Sequence, residues 1–216
     1  MEYTKMNWNR SALIIIDMQK DFAKKDGASY IQGTEDVTEN IVNLASVFRN
    51  CQLPVIHVIR LYKEDGSNAE LCRKSLFQDG KKIVSPGSNG AKIVTELLPE
   101  NAENYSDISL LNGQIIPIAP YDFIVYKPRW GAFYSTQLDD WLTSHQINSL
   151  LIAGCNFPNC PRTTIYEASE RDYHINIVPE AISRIYPKGI DELKGIGVGI
   201  CSVKELKNII KTKRDE

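Results

Sequence analysis

Ser149 to Thr164 reads SLLIAGCNFPNCPRTT, and this stretch decides the fold. Ser149 to Ala153 is a short apolar run between turn residues, the pattern of a strand buried on both faces of a parallel sheet. Gly154 ends the run. Pro158 turns the chain, and Pro161 stands where a first helical residue belongs, since its fixed φ suits that position and its missing N–H would have had no partner there. Cys160 is therefore expected as the N-cap residue. A thiol in that place feels the positive end of the helix dipole, which lowers a pKa that is roughly 8.5 in free cysteine. Two readings of Cys160 stand at this point: an activated nucleophile, or a small hydrophobic residue in a buried turn.

The same alternation of strand and helix extends outward from this stretch. Ser11 to Asp17, SALIIID, is a central-strand pattern ending in a carboxylate, at the end where open α/β sheets hold ligands. The MQKDF that follows lacks the glycines of a phosphate-binding loop. Thr34 is placed to cap an amphipathic helix carrying Val37, Ile41, Leu44, Ala45 and Phe48, and Pro54 to Arg60 (PVIHVIR) gives a second strand. Leu61 to Gly90 is polar and turn-rich, as a functional loop would be. Ala91 to Leu98 has the spacing of a short helix closed by Pro99. A loop from about Glu100 to Pro120 precedes a third strand, Asp122 to Lys127 (DFIVYK), which again ends in a charge. Ser135 or Thr136 caps a helix with Leu138, Trp141 and Leu142 on one side. Beyond Cys160 come a further helix, strands at His174 to Pro179 and Gly195 to Cys201, a closing helix from Val203 to Lys211, and a frayed KTKRDE tail. Six short strands alternating with helices imply one α/β domain over residues 1–216, its six-stranded parallel sheet covered by helices on both faces.

Composition narrows the classes. The chain has 216 residues, 43% of them hydrophobic and 24% charged, which suits one core burying roughly 70% of the unfolded surface. Net charge is −2 and the basic residues are dispersed, so neither a nucleic-acid groove nor a membrane surface is indicated, and the expected partner is a small molecule. Five cysteines (51, 72, 155, 160 and 201) form no CxxC pair, and MEYTKMNWNR is not a targeting sequence, so a reduced, cytoplasmic setting is expected. The apolar runs fall short of the ~20 residues of a membrane helix.

An acid, a cation and a thiol thus stand after strands one, three and four, which converge at a topological switch point. The segments LIIIDMQKDF, GSNGAKIVTELLP, VYKPRWGAFYSTQLDDWL and LLIAGCNFPNCPRTTIYEASERDY, with INIVPEA in a later strand, resemble the isochorismatase-like cysteine hydrolases over roughly residues 11 to 205. The resemblance implies a Rossmann-like three-layer sandwich and an Asp-Lys-Cys triad at Asp17, Lys127 and Cys160. It also implies a cis peptide at Cys155-Asn156, with the backbone amides of Asn156 and Cys160 forming an oxyanion hole, and a homo-oligomeric assembly. Phe22, Trp130 and Phe157, near the strand ends, are candidates for a wall that binds a planar amide; core packing is the alternative.

Two positions depart from the family pattern. Phe157 stands where many relatives have Thr, and Pro161 where they have Val or Ile. The metal-dependent nicotinamidases of the superfamily carry Asp-x-His and further histidines after the second strand, whereas here His57 is alone and the other histidines, His145 and His174, are far from it in sequence. No metal and no cofactor is expected. The expected activity is hydrolysis of a small non-peptide amide, with a carbamoyl or ureido C–N bond as the finer expectation, through a thioester. Vinyl ether hydrolysis of the isochorismate type gives Cys160 no role. A non-catalytic flavodoxin-like binding or switch domain would carry paired acids after strand one, where Met18 follows Asp17.

Overall fold

The computed structural model describes residues 2–206. Among them, one sheet holds β1 (Ser11–Ile16), β2 (Val55–Ile59), β3 (Ile116–Ala119), β4 (Asp122–Tyr126), β5 (Ser149–Gly154), β6 (His174–Ile182) and β7 (Gly199–Ile200). The order across the sheet is β3-β4-β2-β1-β5-β6-β7, and every pairing is parallel except β3 with β4. After β1 the chain builds outward through β2 to β4 on one side, then returns to lay β5 on the other. The switch point therefore falls between β1 and β5.

The aliphatic runs of β1 and β5 are buried at every position, and side-chain alternation divides them between two layers. The helices are α1 (Lys20–Ala23), α2 (Thr38–Asn50), α3 (Lys74–Gln78), α4 (Asp107–Leu111), α5 (Leu138–Ser144), α6 (Cys160–Ser169) and α7 (Pro187–Gly195). Leu13 and Ile15 belong to the layer built with Ile41, Leu44, Ala45 and Phe48 of α2. Ala12, Ile14 and Ile16 belong to the layer built with Leu138 and Leu142 of α5, Ile165 of α6 and Leu193 of α7. Each large aliphatic side chain buried this way contributes about 1.5–3 kcal/mol. No helix among the described residues is long and apolar enough to cross a membrane.

The sheet has one strand more than the sequence implies. β3 arises inside the expected 100–120 loop and pairs antiparallel with β4, with Pro117 opposite Phe123, a placement that proline tolerates only at a sheet edge. Ala91 to Leu98 forms no α-helix. Its backbone is drawn to α1, where Lys20 N donates to Lys92 O and Asp21 N to Gly90 O, leaving only a single 3-10 turn at Thr95–Leu97. A 3-10 turn at Glu35–Val37 precedes α2, and the Thr34 hydroxyl donates to Ser183 Oγ rather than capping it. Strand six runs on past Pro179 to Ile182. Pro187 opens α7, which takes up Gly195, so the expected strand from Gly195 shrinks to Gly199–Ile200. A helix begins at Val203 to Leu206; the rest of the expected closing helix and the KTKRDE tail lie outside the described residues.

Candidate active site

Gly154 and Ile16 are register partners in the β1–β5 ladder, and a Cβ on Gly154 would strike the Ile16 carbonyl oxygen. The backbone there has φ +117°, so glycine is required on both counts. Cys155 N donates back to Ile16 O at 2.9 Å, and Asp17 follows Ile16 directly. Asp17 has φ +52°, in the left-handed region that aspartate enters more readily than most residues, and its N–H donates to Val58 O at 2.9 Å. The Cys155-Asn156 peptide is cis.

Helix α6 starts one residue earlier than the sequence suggests. Thr163 N donates to Asn159 O at 2.9 Å, which makes Asn159 the N-cap, Cys160 the first helical residue and Pro161 the second. Within the turn, the N–H groups of Cys155, Phe157 and Asn159 donate to the carbonyls of Ile16, Ser183 and Asn156. The N–H groups of Asn156 and Cys160 take no part in that set, and for Cys160 the first turn of a helix supplies no partner.

Lys127, just past β4, joins the strand ends. Its Nζ lies 2.9 Å from Asp17 Oδ2 and donates to Cys160 Sγ at 3.2 Å and to Arg129 O at 3.2 Å. Exposures of 4% for Asp17, 1% for Lys127 and 7% for Cys160 place all three out of bulk water. Asp17 Oδ1 is buried and has no hydrogen-bond partner. Burial works to lower the Lys127 pKa, yet the pairing beside it, chiefly with the Asp17 carboxylate, leaves it above its ordinary value. For Cys160, burial pushes the thiol pKa up and Asp17 adds to the rise, with Lys127 opposing. The helix-dipole expectation of a lowered pKa fails because desolvation of a buried anion is the larger effect.

Around these groups lies an opening with about 310 Å³ of empty space, its mouth included. Phe22 and Trp130 line it together with Asp17, Lys127, Cys160, Asn156 and Asn159. Phe157 does not. Its ring is fully buried and meets Tyr186 edge-on at 5.2 Å, in a slot that exists because Gly189 has no side chain to fill it.

The remaining wall comes from the segment after β2, which sequence reading left as a loop without assigned residues. Arg60, Tyr62, Glu70 and Arg73 all line the opening. Arg60 Nε donates to Glu70 Oε1 at 3.2 Å, Tyr62 OH to Glu70 Oε2 at 2.7 Å, and Arg73 Nη1 to Tyr62 OH at 2.5 Å. The available signal was Arg60, a charged residue at a strand end like Asp17 and Lys127. The segment is pinned from beneath by MQKDF: Gln19 Nε2 donates to Arg60 O and Ala91 O, and Asp21 Oδ2 accepts from Val84 N at 2.6 Å.

Among the described residues, no group of three or more His, Cys, Asp or Glu side chains is placed to hold a metal ion. His57 is buried with its Nε2 3.1 Å from Asp122 Oδ1, and Asp122 is in turn held by Arg49.

The Isochorismatase domain model matches residues 11–106 and 114–197. This chain belongs to the isochorismatase family. The stretch left unmatched between the two segments covers α4 and the turn into β3. Among curated proteins, the chain is 28% identical over 197 residues to a probable inactive nicotinamidase of Arabidopsis thaliana, covering 88% of this chain and 91% of that one. It is 25% identical over 179 residues to the N-carbamoylsarcosine amidase of an Arthrobacter species, covering 83% of this chain and 61% of the relative. Among solved structures, an isochorismatase family protein from Desulfovibrio vulgaris superposes with a TM-score of 0.79 at 29% identity, over 94% of this chain and 98% of that one. The isochorismatase-family fold thus accounts for the strand ends that carry Asp17, Lys127 and Cys160.

Proposed function

We propose that this isochorismatase-family chain is a cysteine-dependent hydrolase of a small non-peptide amide, with a carbamoyl or ureido C–N bond as its target. The observation that carries the reading is the Lys127 ammonium shared by Asp17 and Cys160, with Asp17 Oδ1 left free to take a proton. Asp17 Oδ1 accepts the thiol proton as sulfur attacks the substrate carbonyl carbon. The oxyanion settles against the unengaged amides of Asn156 and Cys160; one donor of this kind is typically worth about 10²–10³ in rate. Asp17 then returns the proton to the leaving nitrogen, the C–N bond breaks, and an acyl group remains on Cys160 as a thioester. Water, giving its proton to Asp17, attacks that thioester, and the sulfur leaves and recovers the proton. Lys127 stays charged throughout and offsets the negative charge that passes between carboxylate and sulfur. Vinyl ether cleavage would leave Cys160 idle. The similarity to the Arthrobacter N-carbamoylsarcosine amidase supports the carbamoyl choice.

The test is ammonia release from a panel of N-carbamoyl acids, ureido acids and simple primary amides, with quenched samples weighed by intact-protein mass spectrometry. An acyl adduct on Cys160 is expected in wild type. Cys160→Ala should release no ammonia, form no adduct and keep its unfolding midpoint. More than about a tenth of wild-type turnover in Cys160→Ala would exclude the thioester route.

A further inference from the structure

Three cations line the opening, and two of them have their donors engaged. Lys127 directs its ammonium to Asp17, Cys160 and the Arg129 carbonyl. Arg60, 2% exposed, donates to Glu70, to the carbonyls of Leu61 and Asn68 and to Tyr126 OH. Arg73 differs. Among the described residues, its one hydrogen bond runs from Nη1 to Tyr62 OH, which leaves four of a guanidinium's five N–H groups unspent.

The charges are unequal in the same sense. Asp17 and Glu70 are the acids lining the opening, and each is already paired, with Lys127 at 2.9 Å and Arg60 at 3.2 Å. Among the described residues, no carboxylate lies within ion-pair distance of Arg73. Its Cζ lies 4.7 Å from the centre of the Trp130 ring and 5.7 Å from that of Tyr62, contacts that hold the guanidinium against the wall. A half-buried guanidinium with free donors fits a planar anion that accepts two parallel N–H bonds. Arg73 and Cys160 line the same opening, so one small molecule can meet both.

We infer that Arg73 is a specificity-determining residue that receives a carboxylate at the end of the substrate remote from the scissile amide. The substrate class is then a small carbamoyl or amide compound bearing an acid, not a neutral amide. This inference rests on the hydrolase reading above. Hydrogen bonds to a charged group of this kind correspond to about 10–100-fold in binding.

The experiment compares shape-matched pairs: N-carbamoylglycine with N-isobutylurea, and N-carbamoyl-β-alanine with N-isopentylurea. In wild type the acid of at least one pair should exceed its neutral partner at least about 10-fold in kcat/KM. Arg73→Gln should bring that ratio close to one, and Arg73→Lys should restore part of it, because it keeps the charge without the fork. A wild-type ratio of one or less in both pairs, or an unchanged ratio in Arg73→Gln, overturns the assignment. If wild type releases ammonia from none of the four probes, these carbamoyl compounds are not its substrates, and calorimetric binding to Cys160→Ala decides about Arg73 separately. Tighter binding of the acid, lost when Arg73→Gln is added, supports the site. Equal affinities within each pair, or no binding of either acid, overturns it.

Discussion

Lys127 Nζ lies 2.9 Å from Asp17 Oδ2, and both side chains are almost closed to solvent. The acid raises the pKa of the neighbouring thiol while the ammonium lowers it, so the two partners act on Cys160 with opposite signs. Asp17→Asn removes the base but also removes a charge that disfavours the thiolate. kcat/KM should therefore fall by about 10²–10⁴ while the thiol pKa, read from the pH dependence of iodoacetamide alkylation, moves down. A kcat/KM within threefold of wild type would remove Asp17 from the base role.

Lys127→Met should do the reverse to the thiol, moving its alkylation profile to higher pH. It also leaves a buried carboxylate unpaired, a change that costs about 3–5 kcal/mol in comparable sites. Lys127 has a folded-state pKa above its ordinary 10.5, so its contribution to stability is complete below that pH and is lost as pH climbs toward the folded value. Denaturant unfolding of wild type and variant should show a gap that is level between pH 6 and 9 and begins to shrink above about 10.5. A gap that widens there would contradict the pairing.

Gly154→Ala should be the most damaging one-methyl change near the site. The new Cβ meets a backbone oxygen of the neighbouring strand, and the positive φ is strained for any residue with a side chain. A loss of at least about 2 kcal/mol is expected in chemical denaturation. A variant as stable as wild type would mean the two strands can part without cost.

Dialysis against a chelator should leave hydrolysis unchanged, because the described residues offer no cluster of three metal-binding side chains and His57 is committed to Asp122. Activity lost to the chelator and restored by Zn²⁺ or Mn²⁺ would refute this.

The parts of the fold legible in the sequence are those set by local patterns. Apolar runs marked β1, β2, β4 and β5, broken only by His57 in β2, and the charges after β1 and β4 stood at the ends where an α/β sheet gathers its chemistry. The wall from Arg60 to Arg73 was not legible, because its course depends on distant partners: Gln19, 41 residues from Arg60, and Asp21, 63 residues from Val84. Phe22 and Phe157 looked equivalent as aromatic residues near strand ends. Tyr186 and the bare backbone of Gly189 draw one ring into the core, and no spacing within either motif records that. The direction of the thiol's pKa shift was not legible for a similar reason, since the helix start was visible and the depth of burial was not.

Ile16 and Gly154 are opposite each other in the sheet, with the proposed base Asp17 attached to one and the turn that carries Cys160, the proposed nucleophile, to the other, and Lys127 N is tied to Ile59 O of β2 at 3.0 Å. The reacting groups are therefore mounted on the sheet itself, while Arg73 is mounted on a separate connecting segment. Recognition and chemistry can then vary independently. A library confined to residues 61–88, with Glu70 kept to partner Arg60, should yield catalysts that differ in what they accept and share one pH profile for the acylation step.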